Sequence, residues 1–227
     1  MFFLRIAEKK PEVIERWLRK RFGKRLERVA RFAIRIKHSI LYFRTDRQRR
    51  KVLDEAMKAT ETAIHRCERN GYVHTLKVLQ CNLFMLVPLK DIETVKMRAA
   101  LSDDEWERKL SLRIIILTTF EWGKNTSFDK SFYASLAKIS VSKPTVDRLK
   151  REVREFHKQH EKFTKKYANA RNKLIAHRHS NAREFITRIR NLPDQEIFTD
   201  ASALTEKVSP LIETLTEIVR PEQPPYH

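Results

Sequence analysis

Phe163-Thr164-Lys165-Lys166-Tyr167-Ala168-Asn169-Ala170-Arg171-Asn172-Lys173-Leu174-Ile175-Ala176-His177-Arg178-His179 is the stretch on which the reading of this chain turns. At 100° per residue, Phe163, Tyr167, Ala170 and Leu174 fall on one narrow apolar stripe, as in the last turns of a long amphipathic helix. Arg171 lies about 60° to one side of the stripe's centre and His177 about 60° to the other. A cation and an imidazole thus border the face such a helix buries. One reading is structural, a snorkelling Arg and a half-buried His. The other is chemical. Imidazole moves protons near neutral pH, and guanidinium grips phosphate oxygens through two donors at once.

Outward from this stretch the helical pattern persists. Upstream, Ser142 caps a helix with Pro144 in its first turn, and Val146, Leu149, Val153, Phe156 and His160 extend the stripe, so one helix is expected from Pro144 to about His179. Before it stand a turn, Ser140-Val141-Ser142, a short helix at 130–139, and a loop from Lys124 to Asp129. Ser102-Asp103-Asp104-Glu105 reads as a capping box that opens a helix through Trp106, Leu110, Ile114, Leu117 and Phe120 to Trp122, with Gly123 as its stop. Residues 113–117 are too apolar to face water, which makes that helix central. Glu121 at its end either pairs with an Arg of the motif helix or stands as a surface acid. Downstream, a basic amphipathic segment covers 183–192, and a last helix runs from about Ala201 to Val219 with Pro210 as a kink point. Residues 221–227 read as a disordered tail.

Toward the N-terminus, helices are expected at 12–22, 24–43 and 46–70, the third closed by Gly71, followed by an apolar helix from Tyr72 to Leu89 limited by Pro88. The whole is an all-α chain: a basic helical region at 1–98 packing on or beside a helical bundle at 99–220. The bundle is built from helices near 103–122, 130–139, 144–179 and 201–219.

Three Gly in 227 residues leave little turn punctuation for a sheet, and 41% apolar content suffices for a core. The net charge of +19 and a pI near 10.1 point to an anionic partner, with RNA, DNA and a membrane surface as the options. Residues 1–50 carry 17 Lys and Arg against 5 Asp and Glu, so 12 of the 19 net charges sit there. Within them Arg25, Arg28, Arg31 and Arg35 recur every three or four residues and form one basic stripe. It suits a phosphate backbone, and equally a membrane-surface or solvated face. Two cysteines, Cys67 and Cys81, have no metal spacing and fit a reducing cytoplasm. No signal peptide and no run of 18 apolar residues is present.

The string Arg171-Asn172-Lys173-Leu174-Ile175-Ala176-His177 resembles the signature of the HEPN superfamily, an Arg, often a following polar residue, a short run and a His on a late core helix. The longer string ending in Arg178-His179 looks most like the branch found in phage abortive-infection systems. The resemblance covers roughly residues 100–220. It implies a small helical bundle, a homodimer, and metal-independent endoribonuclease activity as a toxin-like or antiphage effector. An antitoxin or another defence-system partner goes with that role. Where that branch is expected to carry an acid after Arg178, this chain has His179.

The chemistry such an enzyme needs is modest: a base for the 2′-hydroxyl proton, an acid for the leaving oxygen, and a cation for the charged phosphorane. Arg171 and His177 supply these as the candidate catalytic pair. Asn172 is either catalytic or a brace. Lys173 and Arg178, with Arg25, Arg28, Arg31 and Arg35, are the candidate phosphate contacts. No cofactor is expected and no metal site, because neither His157 with His160 nor His177 with His179 is completed by a Cys or an acid. The opposing class is a non-catalytic nucleic-acid-binding protein, using the same basic face or a helix-turn-helix at 132–150 in which Ser140 replaces the usual Gly. Six residues on one straight helix put Arg171 and His177 about 120° and roughly 9 Å apart. A site shared across a two-fold axis on the apolar stripe would bring one chain's Arg171 to the other's His177.

Overall fold

In the computed structural model, residues 47–125, 128–172 and 181–219 are described. The chain divides into two units, Met1–Arg49 and Arg50–His227, and the second forms the bundle considered below. Seven helices and no strand occur among the described residues: α1 at 47–70, α2 Val73–Leu101, α3 Glu105–Asn125, α4 Lys130–Lys138, α5 Lys143–Ala170, α6 Ala182–Arg190 and α7 Asp194–Ile218. The expected all-α class holds.

Local chemistry sets most of the boundaries. Gly71 takes φ 72°, and the Tyr72 and Gly71 amides reach back to the carbonyls of Cys67 and Glu68, which closes α1 in a Schellman turn. Asp104 caps α3, its Oδ1 accepting from the Trp106 and Glu107 amides at 2.6 and 3.3 Å, while Ser102 Oγ meets the Glu107 carboxylate at 2.6 Å. Asp129 caps α4 through the Phe132 amide at 2.8 Å, and Asn181 caps α6 through the Arg183 and Glu184 amides. Ser142 caps α5 through the Thr145 amide.

Two helices run past the stops that the sequence suggests, and a third begins earlier than it suggests. α2 continues through Pro88 to Leu101, with Met85, Leu86, Leu89 and Ile92 buried on both sides of the proline. An interior proline costs about 3 kcal/mol, and burying one such side chain returns about 1.5–3 kcal/mol, so the core decides. α3 passes Gly123, a residue that costs only about 1 kcal/mol against Ala inside a helix. α7 begins at Asp194, not near Ala201. Asp194 and Glu196 lie in its first turn, where acids suit the helix dipole. The Asp194 carboxylate is also held by Arg108 Nε at 3.0 Å and by the buried Lys109, whose Nζ donates to the Leu192 carbonyl at 2.8 Å. α7 then continues across Pro210 to Ile218.

The core lies between α2, α3, α5 and α7, around Ile92, Ile116, Trp122, Phe156, Phe163 and Leu211. α2 packs along α3 and α5 along α7, with α4 set against α2 and α6 against α3. Residues 50–98, read from the sequence with the N-terminal region, therefore share one core with the motif helix. α2 is one of the long walls of the bundle.

Candidate functional site

α5 is built to present its last turn. Leu149, Val153, Phe156, Phe163 and Tyr167 bury one face, spaced by three, four or seven residues. The Tyr167 hydroxyl donates to Asp200 Oδ2 at 2.8 Å, and Lys166 Nζ donates to the same oxygen at 2.7 Å and reaches Glu196 at 3.0 Å. Burial pushes the Asp200 carboxyl up, but the bonds from Lys166 and Tyr167 outweigh it and hold the group below the usual carboxylate range. Burial and the bond to Asp200 push the Tyr167 phenol well up. This cluster clamps the end of α5 onto the start of α7, one turn before Arg171.

Regular α-winding ends at Ala170, and Arg171 and Asn172 wind in a π-type turn, a form frequent at functional sites. The Arg171 guanidinium sits 5.9 Å over the Phe120 ring. Its Nη2 is 3.8 Å from Glu121 Oε1, so the pairing that the sequence left open is made, at the long limit of an ion pair. Nη1 donates to Asn172 Oδ1 at 3.0 Å. Asn172 is exposed and braces Arg171 itself. Nε is buried and has no hydrogen-bond partner, which leaves one buried donor of the fork unengaged. His160 Nε2 donates to the Thr119 carbonyl at 2.8 Å and so pins α3 just ahead of Phe120 and Glu121. Burial pulls the His160 and His157 imidazoles below their ordinary range. Among the described residues no three of His, Cys, Asp and Glu gather as a metal site.

The other candidates stand differently. His177, Lys173 and Arg178 lie outside the described residues, as do Arg25, Arg28, Arg31, Arg35 and the tail. At 132–150, α4 and α5 flank a turn in which Ser140 adopts φ 57°, the left-handed form usually left to Gly. Arg148, near the start of α5, is ion-paired with Glu217 and Glu152.

The apolar stripe through Phe163 and Tyr167 is 1% and 4% exposed and packs inside its own bundle. A two-fold axis cannot cross it. The stripe that does face outward is one the sequence reading placed inside. Trp106, Leu110, Ile114 and Leu117 remain 49, 46, 39 and 38% exposed, while Leu112, Ile115, Ile116 and Trp122 on the opposite side of α3 fill the core. Apolar residues lie on both faces of α3, so their spacing could not tell the inner face from the outer. Beside the outer stripe, Phe84, Val87 and Pro88 of α2 and Leu117, Glu121 and Trp122 of α3 line an open groove of about 680 Å³. Glu121 belongs to both the groove and the Arg171 pair.

Among the described residues no helix is long and apolar enough to cross a membrane. Comparison with protein-family models, with curated proteins and with solved structures finds no match.

Proposed function

We propose that this chain is a metal-independent endoribonuclease of HEPN type, a cytoplasmic toxin-like or antiphage effector that cleaves RNA with Arg171 and His177. What supports the reading is the setting of Arg171. Its guanidinium is steered by Asn172, Glu121 and the Phe120 ring, with one buried donor still unengaged. Such a fork suits a phosphate oxygen, which would displace the distant Glu121 carboxylate. In this reading His177 takes the 2′-hydroxyl proton, the 2′-oxygen attacks phosphorus, and the bond to the 5′-oxygen breaks. The products are a cyclic phosphate and a 5′-hydroxyl that receives a proton from the acid.

The partner in such a dimer would sit on the outer stripe of α3. Taking 150–250 Å² for a buried aromatic and somewhat less for Leu or Ile, the exposed parts of Phe84, Trp106, Leu110, Ile114 and Leu117 amount to roughly 400 Å² per copy. A polar rim brings that toward the ~800 Å² per partner of a stable interface. Glu121 continues the stripe, so the partner's α3 would lie beside Arg171. Refolding Arg171→Ala chains together with His177→Ala chains tests the shared site. About a quarter of wild-type activity should return if each site draws on both chains, because half the dimers are mixed and each has one intact site. A dead mixture removes the sharing.

The opposing reading is a nucleic-acid-binding module without catalysis. His177→Ala separates the two: cleavage should vanish while RNA binding persists. Unchanged cleavage in that variant overturns the catalytic assignment.

A further inference from the structure

The exposed face of α5 carries a run of cations apart from the Arg171 pair. Lys150, Arg154, Lys158 and Lys162 follow one another at intervals of four and are all exposed, with Arg151 and Lys165 beside them. On an ideal helix all six lie within an arc of about 120°, away from the buried stripe. The run from Lys150 to Lys162 spans about 18 Å. Two acids share the arc, Asp147 and Glu161, and Glu161 is taken up by Lys165 at 2.6 Å. Among the described residues Lys150, Arg151, Arg154, Lys158 and Lys162 form no ion pair, although α5 pairs other cations freely: Arg148 with Glu152 and Glu217, Lys166 with Glu196 and Asp200. Like charges four residues apart destabilise a helix. A merely solvated face would carry Glu at alternate steps, and here three successive steps are cation on cation.

We infer that this face of α5 is a track for the sugar-phosphate backbone of a single-stranded RNA, leading to the motif end of the helix. Asn172 falls on the same line as Lys165 at ideal spacing, and it holds Arg171. A strand laid along the track therefore arrives at the residue that orients the guanidinium. At the other end the Lys150 ammonium stands 5.4 Å from the centre of the half-buried Tyr133 ring, an aromatic surface of the kind on which unpaired bases stack. A lipid surface fits less well. A membrane-lying helix inserts its apolar face, and the apolar face of α5 is consumed by the core.

The inference rests on the proposed function for the choice of RNA as ligand, and its test reads binding alone. A labelled single-stranded RNA is titrated with wild-type protein and with the variant Lys150→Gln, Arg154→Gln, Lys158→Gln, Lys162→Gln over a range of salt concentrations. Four lost phosphate contacts should reduce the slope of log Kobs against log salt by about 3. Helicity by circular dichroism should be unchanged, and the melting temperature equal or higher as the repulsion is removed. An unchanged slope makes the face a solvated one and overturns the track. Loss of binding to phosphatidylserine vesicles with RNA binding intact overturns it in favour of a membrane surface. A wild type that binds with the expected slope but never cleaves leaves the track in place and removes only the nuclease.

Discussion

Arg171 is held by weak hands. Its contact with Glu121 is long, its cation–π contact with Phe120 lies near the outer limit, and its Nε is unsatisfied. A residue kept for structure alone would be expected to close those bonds. Arg171→Lys keeps the charge but loses the planar fork, and a charge-assisted hydrogen bond is worth about 1.5–3 kcal/mol. RNA cleavage should therefore fall by about 10- to 100-fold in kcat/KM with the melting temperature unchanged. Asp200 behaves in the opposite way, as a structural anchor. Its carboxyl pKa is depressed on folding, so its contribution is present above the unfolded value near 3.9 and is lost as pH falls through the folded value. Asp200→Asn should lower the melting temperature by a constant amount above about pH 4.5, and the gap to wild type should close below pH 4. A gap that widens in acid would contradict the Lys166–Tyr167–Asp200 clamp. At this scale the Arg171–Glu121 contact was legible in the sequence. The pattern pointed to Arg171, and the end of α3 suggested Glu121 as a partner. The Phe120 platform was hidden, because a ring within an apolar stripe looks the same whether it packs on leucine or under a guanidinium.

At the scale of elements, turn and cap chemistry was readable and long-range compensation was not. Gly71, Asp129, Ser142 and Asn181 do what their side chains or backbone freedom dictate locally. Pro88 and the polar run Asp194-Gln195-Glu196 mislead, because what overrides them is supplied by other helices. The start of α7 shows this most clearly. Lys109 is 7% exposed and its charge is answered by Asp194. Asp194→Ala would leave a buried ammonium unpaired, which costs about 3–5 kcal/mol. Lys109→Met, which removes the charge and keeps the volume, should be much milder by urea denaturation. If Lys109→Met proves as damaging as Asp194→Ala, the pair contributes to stability beyond mutual neutralisation. The outer stripe of α3 gives another test. Ile114→Glu places charge at its centre and should convert a dimer to a folded monomer in sedimentation velocity. A variant that sediments like wild type removes α3 as the interface.

At the scale of the molecule, the bundle from Arg50 onward carries one face that is apolar and unsatisfied, on α3, and one that is cationic and unsatisfied, on α5. Composition announced a cationic surface through the +19 charge, and the basic stripe read at residues 25–35 lies outside the described residues. The four-residue run on α5 went unnoticed because it lies in a helix already explained by its buried stripe. Both faces adjoin the turn that carries Arg171, and the proposed activity would draw on all three: RNA led along α5 and cut beside Arg171 near a partner's α3. The most direct measurement is incubation of the purified chain with RNA in excess EDTA, with the product ends analysed. The account predicts cleavage that leaves a cyclic phosphate and is abolished in both Arg171→Ala and His177→Ala. Cleavage that stops on chelation and returns with magnesium, or that survives both substitutions, would contradict it.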